Sequence, residues 1–158
     1  MDFPKLTEIQ RLKRLTPPTR KVEMVLDTDT YNEVDDQFAV VHALLSPDKL
    51  KVAGFYAAPF HNARSDGPAD GMEKSYQEIR RLLDRLDVAY EGPVLRGSTR
   101  YLGDWDDPCE SEAAEDLIAR AMARSEDDDP LYVVAIGAIT NVASVILMEP
   151  AIIKRIVV

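Results

Sequence analysis

The sequence is poor in cysteine, tryptophan and histidine, with one, one and two of these residues in 158. A single cysteine, Cys109, excludes an internal disulfide and is typical of a reducing compartment, so we expect a cytoplasmic protein. No apolar run is long enough to cross a bilayer, and the first residues lack the continuous apolar stretch of a signal peptide, which argues against a membrane protein. The net charge of −9 argues against general nucleic-acid binding.

Charge is unevenly distributed along the chain. Residues 1–21 carry six basic and two acidic side chains, a net charge of +4, which leaves −13 for the remainder. Four apolar residues in this segment have helical spacing: Leu6, Ile9, Leu12 and Leu15. We therefore predict that residues 1–20 form a basic N-terminal extension with a short surface helix, and that residues 21–158 form the main domain.

Apolar strand-like runs alternate with amphipathic segments through this main domain. The predicted strands are KVEMVLDTD, LKVAGFYAA, EGPVLRG and LYVVAIG, with a further one beginning in IIKRIVV. The predicted helices are VDDQFAVVHALLS, GMEKSYQEIRRLLDRL, ESEAAEDLIARAMARS and ITNVASVILM. For the first of these helices, the periodicity predicts an inward face of Val34, Phe38, Val41, Leu44 and Leu45. The alternation predicts an α/β fold with an open, mainly parallel sheet and helices on both faces, a Rossmann-like architecture.

Four aspartates crowd the stretch VLDTDTYNEVDDQF: Asp27, Asp29, Asp35 and Asp36. Two of them end a predicted strand and two open the next helix, and open α/β sheets bind ligands at the carboxyl ends of their strands. Helix capping would explain one or two of these carboxylates but not four. Converging carboxylates repel one another unless a cation lies between them, and oxygen donors suit Ca²⁺ or Mg²⁺. The cluster therefore predicts a metal site.

Two more predicted strand ends are expected to line the same crevice. Asn62, in APFHN, has an amide suited to sugar hydroxyls, although an asparagine here is equally typical of a loop turn. In AIGAITN, Gly137 lets the backbone approach a ligand and leaves the carbonyl of Ile136 free to reach a metal. Thr140 and Asn141 are interpreted as caps of the last helix.

The motifs DTD…DD, APFHN and VVAIGAITNVA, in this order and each at a strand end, resemble the N-terminal half of the inosine/uridine-preferring nucleoside hydrolase family. The resemblance covers roughly residues 21–158. It implies calcium-dependent hydrolysis of the N-glycosidic bond of ribonucleosides, which gives ribose and a free base. It also implies a homo-oligomer in the complete protein.

The resemblance assigns a role to each matching residue. The implied calcium ligands are Asp29, Asp36 and the backbone carbonyl of Ile136. Asp29 is also the implied general base toward water. Asp35 and Asn62 are implied to hydrogen-bond the ribose hydroxyls, and Asp27 to orient the site from behind the ligands.

The sequence departs from the family pattern in three places. Residues 30–34, TYNEV, make a longer connection where the family usually has a short Pro-Gly turn. His61 stands where a glycine is common, and we assign it no role. Family members are also considerably longer, and their C-terminal half supplies a further calcium ligand and the residues that activate the leaving base. We therefore expect this chain to be a truncated domain that releases little ribose by itself.

Two other interpretations stay open. VLDTDT fits the opening motif of haloacid-dehalogenase-like phosphatases, in which Asp27 is the nucleophile, Asp29 the acid/base and Mg²⁺ the ion. That fold also needs a downstream lysine and a late acidic pair, and Lys154 has no such pair after it. The chain could also be a non-catalytic, truncated relative that folds and binds Ca²⁺ without turnover.

Overall fold

The computed structural model describes residues 2–104 and 106–158. Its strands are β1 (Val22–Thr28), β2 (Leu50–Ala57), β3 (Val94–Arg96), β4 (Leu131–Ala135) and β5 (Ile156–Val157). They form one open sheet in the order β3-β2-β1-β4-β5, and every neighbouring pair is parallel. The parallel α/β sheet predicted from the sequence is therefore confirmed.

The described residues form five α-helices, of which the last four cover the two faces of this sheet. They are α1 (Glu8–Leu15), α2 (Val34–Leu44), α3 (Pro68–Arg85), α4 (Glu112–Met122) and α5 (Thr140–Met148), followed by a 3₁₀ helix, Pro150–Lys154. Helices α4 and α5 pack against one face, where Val25 and Leu131 are fully buried. Helices α2 and α3 pack against the other face, which carries Leu26 and Phe55. Within the described residues, no helix is both long and apolar enough to span a membrane.

The predicted surface helix of the N-terminal extension is present as α1. Thr7 and Gln10 form a capping box at its start, and none of its residues is buried. The extension is attached to the domain by Arg14, whose guanidinium donates to the backbone carbonyls of Glu126, Asp128 and Lys154. These contacts lie at the edge of the sheet where its strands begin.

The predicted inward face of α2 is wrong for three of its five residues, although Leu44 is buried as predicted. Phe38 is 70% exposed, and Val34 and Leu45 are also exposed. The buried residues of this helix are Asp36, Val40, Ala43 and Leu44. The helix is turned so that Asp36 faces the end of β1, where its carboxylate accepts a hydrogen bond from the Thr28 hydroxyl. A polar contact of this kind leaves no trace in apolar periodicity.

The carboxyl ends of three strands are held side by side. The Ala58 amide donates to the Thr28 carbonyl over 2.8 Å, which joins the end of β2 to the end of β1. On the other side of β1, the Ile136 amide donates to the Asp27 carbonyl over 2.9 Å. The loops that follow β1, β2 and β4 therefore open at one place on this edge of the sheet.

Candidate functional site

Asp27 lies beneath this edge and is 1% exposed. Its Oδ1 accepts a hydrogen bond from the Asn141 amide over 2.8 Å. Its Oδ2 is buried and has no hydrogen-bond partner among the described residues. Burial raises the pKa of Asp27 to about 7, the Asn141 bond works against this shift, and the nearby Asp29 adds to it. One carboxylate oxygen is thus left without a partner under the crevice.

Asn141 is not the helix cap that the sequence suggested. Helix α5 has Ile139 at its N-cap without a side-chain cap bond, and Thr140 is the first residue of the helix. The Asn141 side chain, 1% exposed, instead accepts from the amide and the hydroxyl of Ser98, both over 2.7 Å. Together with its bond to Asp27, these contacts connect the end of β1 to the segment after β3.

Close packing against Asn141 also explains a glycine in that segment. A Cβ at Gly97 would lie 2.3 Å from the Asn141 Nδ2 and 2.1 Å from the Ala57 carbonyl oxygen, so only glycine fits there. Sequence reasoning missed this buried connection because its members lie far apart in the chain. An asparagine at the start of a helix is also fully explained by local capping.

Asp29 follows β1 directly and is 6% exposed. Its Oδ2 accepts from the Asn32 side-chain amide over 2.9 Å. Its Oδ1 faces the loop after β4, because a Cβ at Gly137 would lie only 2.8 Å from this oxygen. Burial raises the pKa of Asp29, and the hydrogen bond from Asn32 partly offsets the shift.

Asp36 lies in the first turn of α2 and is buried. Its partner is the Thr28 hydroxyl, which is itself 3.0 Å from the Thr30 hydroxyl. Burial raises the pKa of Asp36 to about 6, against the Thr28 bond and with help from the negative charge of Asp29. The N-cap of α2 is Glu33, without a side-chain cap bond, so capping does not explain Asp36.

The proposed sugar-binding residues lie on the outer side of the cluster. Asn62 is exposed, and its Nδ2 donates to the Asn32 Oδ1 over 2.6 Å. Asp35 is exposed and is close enough for its charge to act on Asp29 and Asp36. His61 is exposed in the same loop as Asn62.

The predicted backbone ligand lies on the β4 side of the cluster. The Ile136 side chain is 41% exposed, and its amide is bonded to the Asp27 carbonyl. The next residue, Gly137, lies so near Asp29 that a Cβ added to it would be 2.8 Å from the Asp29 Oδ1. The structure therefore brings the predicted residues of β1, α2 and the two neighbouring loops to one place.

The oxygen donors at this place are of the chemical type that hard cations bind. Carboxylates and backbone carbonyls are the ligands that Ca²⁺ takes, and Ca²⁺ takes six to eight of them. In residues 2–104 and 106–158, however, no three His, Cys, Asp or Glu side chains are grouped so that they could hold a metal ion. The described side chains therefore do not by themselves form a metal site.

The negative charge of the cluster has only neutral partners within the described chain. Asp27, Asp29 and Asp36 are bonded to amide and hydroxyl groups. Neutral donors relieve the repulsion between neighbouring carboxylates less than a cation does.

Comparisons with protein-family models and with curated proteins find no match to this chain.

Proposed function

We propose that this chain carries the calcium- and ribose-binding half of an N-glycosidase site that hydrolyses ribonucleosides to ribose and free base. The observation that carries the proposal is that Asn32 links Asp29 to Asn62 by two hydrogen bonds. Asn32 accepts from the Asn62 amide over 2.6 Å and donates to the Asp29 carboxylate over 2.9 Å. A buried acid and an exposed amide next to each other suit a sugar whose hydroxyls need both kinds of partner.

Asp29 is the proposed general base. Burial raises its pKa toward the operating pH, which improves a carboxylate as a proton acceptor. Calcium, when bound, supplies positive charge that offsets the carboxylates and acidifies water. Asp29, Asp36 and the Ile136 carbonyl are the proposed ligands, and Asp27, which has one unpartnered oxygen, is the residue proposed to orient the site from behind them.

The ribose is proposed to bind on the exposed side of the cluster. Asn62 offers an amide donor and a carbonyl acceptor, and Asp35 offers acceptors for hydroxyl groups. Cleavage of an N-glycosidic bond builds positive charge on the sugar ring, as in glycosidases, and surrounding carboxylates stabilise that charge. The acidic character of this edge thus serves the sugar as well as the ion.

The phosphatase alternative receives no support from the position of its lysine. Lys154 precedes β5 and pairs with Glu126, so it lies at the edge of the sheet where strands begin. Asp27 and Asp29 lie where β1 ends. In a parallel sheet these edges are opposite, and Lys154 is therefore too remote to assist a phosphoryl group on Asp27.

The test uses the natural protein, whose length is first established by its intact mass. Ribose release is measured from purine and from pyrimidine ribonucleosides, once with calcium and once with a chelator. Asp29→Asn is expected to lower kcat by about 1,000-fold because the base is lost. Asp84→Asn, an exposed acid on α3, is the matched control and is expected to retain full activity.

Two results would remove the proposed function. One is the absence of ribose release from every ribonucleoside tested with the natural protein. The other is near-normal turnover in Asp29→Asn, which would exclude Asp29 from the mechanism. Calcium binding without turnover would instead favour the non-catalytic relative.

A further inference from the structure

Asn32 lies in the longer connection between β1 and α2 and uses all its hydrogen-bonding groups. Its backbone amide donates to the Asp29 carbonyl over 2.7 Å. Its side-chain amide donates to the Asp29 Oδ2 over 2.9 Å, and its Oδ1 accepts from Asn62 over 2.6 Å. Its backbone carbonyl accepts from the Arg64 guanidinium over 3.0 Å. One half-buried residue thus bonds to both sides of the candidate site.

The bond from Asn32 distinguishes the two oxygens of Asp29. Oδ2 is occupied by the Asn32 amide, so the carboxylate is turned about its axis in one way. Oδ1 is then directed toward Gly137 in the loop after β4. Without the Asn32 donor, no described side chain bonds to the Asp29 carboxylate, which keeps only the hydrogen bond from its own backbone amide.

Asn62 is held at both ends of its amide. Its Oδ1 accepts from the Arg64 backbone amide over 2.8 Å, which forms a tight local turn. Its Nδ2 donates to Asn32. Each group keeps a second hydrogen-bonding position, because an amide nitrogen has two hydrogens and a carbonyl oxygen has two lone pairs. Asn62 is therefore oriented and still able to bind a hydroxyl group.

Neighbouring contacts keep Asn32 in place. The ring of Tyr31 stacks on Phe60 with 6.5 Å between the ring centroids. The Lys74 ammonium lies 6.0 Å from the Tyr31 ring, and it also donates to the Arg64 carbonyl over 2.8 Å. The segment after β1 and the loop after β2 are thus packed together on both sides of Asn32.

We propose that Asn32 is a positioning residue, which fixes the Asp29 carboxylate and the Asn62 amide relative to each other. The connection between β1 and α2 supplies this side chain. The roles of ion ligand for Asp29 and sugar contact for Asn62 rest on the proposed function. The mutual fixing of the two side chains does not, and it can be tested in calcium-free protein.

The first experiment follows the Asn62 side-chain amide by ¹⁵N NMR in chelator. Asn32→Ala is expected to shift the resonance of the Asn62 amide proton that donates to Asn32, because it removes the acceptor of that proton. Gln77→Ala, which removes an exposed amide on α3, is the matched control and leaves these resonances at their wild-type positions. Asn62 resonances that coincide in Asn32→Ala and wild type would overturn the proposal.

The second experiment titrates calcium chloride into three proteins. Asn32→Ala and Asn62→Ala both lose the bond between the two asparagines, but only Asn32→Ala loses the bond to Asp29. Asn32→Ala is expected to weaken calcium binding by about ten-fold, while Asn62→Ala leaves it unchanged. A general loosening of the two loops would weaken both variants alike, and that result would contradict the proposal.

A third possible result separates this inference from the proposed function. If the wild-type chain binds no calcium, the calcium role of Asp29 fails. The NMR experiment then decides the positioning role by itself. A wild-type Asn62 signal in Asn32→Ala would overturn it, and a displaced signal would support it.

Discussion

The carboxylates at the two ends of the parallel strands have different partners. Where the strands begin, Glu23 lies between the Lys51 ammonium at 3.1 Å and the Arg124 guanidinium at 2.6 Å. Burial acts to raise the pKa of Glu23, but the two cations outweigh it and lower that pKa. Where the strands end, Asp27 and Asp36 have neutral partners, and burial raises their pKa values to about 7 and about 6.

The difference between the edges is one of charge balance. The edge at the strand starts neutralises its acids with lysine and arginine from the same chain, and it also receives the basic extension through Arg14. Where the strands end, the buried acids have no cation beside them among the described residues, so ionising them costs folding free energy and their pKa values are raised. A protein bears that cost where something else supplies the missing positive charge, which is the expected sign of a binding site.

The largest expected effect that tests this contrast is a pH dependence in calcium-free protein. Folded Asp27 keeps its proton up to about pH 7, whereas its unfolded value is 3.8. Between these values the folded state holds the extra proton, so the free energy of unfolding falls as pH rises. The limit for this one group is about 1.4 kcal/mol per pKa unit. Asp36, whose pKa is also raised, acts in the same direction.

Asp27→Asn should therefore flatten the pH dependence. Urea unfolding of wild type and variant at pH 5 and pH 8, both in chelator, measures the change. Glu23→Gln is the control from the other edge, because a lowered pKa contributes stability that is lost only toward acid pH. Parallel curves for wild type and Asp27→Asn would show that the buried carboxylate is not protonated in this range.

An intermediate effect is expected from Gly137→Ala at the strand ends. The new Cβ would lie 2.8 Å from the Asp29 Oδ1 and 3.0 Å from the Ala58 Cβ, so the carboxylate or the backbone must move. We expect a loss of about 2 kcal/mol in the free energy of unfolding, measured with urea, and weaker calcium binding.

Gly103→Ala is the matched control for this substitution. Its Cβ would have no described atom within 4 Å, so its stability should stay within about 0.5 kcal/mol of wild type. Equal effects of the two alanines would mean that Gly137 is not closely packed against Asp29.

The smallest effect is expected from Lys51→Ala at the strand starts. The Lys51 side chain is 65% exposed, and Glu23 keeps Arg124 as a partner after the change. We expect a loss of about 0.5 kcal/mol that disappears at high salt. A loss of more than 2 kcal/mol, or one that salt does not change, would show that this edge depends on each of its cations.

Much of the fold could be predicted because its signals are local. Strand β1 is an apolar run of the right length, and α3 repeats its apolar residues with helical spacing. The buried face of α2 could not be predicted, because the bond between Asp36 and Thr28 decides it. Phe38 and Val34 resemble core residues in the sequence, but they lie on the exposed side of the helix.

The candidate site could be predicted where its residues follow strands or, like Asp35 and Asp36, open the helix after a strand. Asp27 and Asp29 follow from the end of β1, and Asn62 from the loop after β2. Asn32 and Asn141 could not be assigned in this way. The contact between Asn32 and Asn62 spans 30 residues, and that between Asn141 and Asp27 spans 114. Such contacts depend on how the strands are ordered in the sheet, which the local sequence does not specify.

The most direct test of the central claim is a calorimetric titration of calcium into chelator-stripped protein, for wild type, Asp29→Asn and Glu23→Gln. If the uncompensated edge is the binding site, wild type and Glu23→Gln bind calcium with equal affinity, and Asp29→Asn loses at least about ten-fold. If wild type binds no calcium, or if Glu23→Gln weakens binding as much as Asp29→Asn, the carboxylates at the strand ends do not form a cation site.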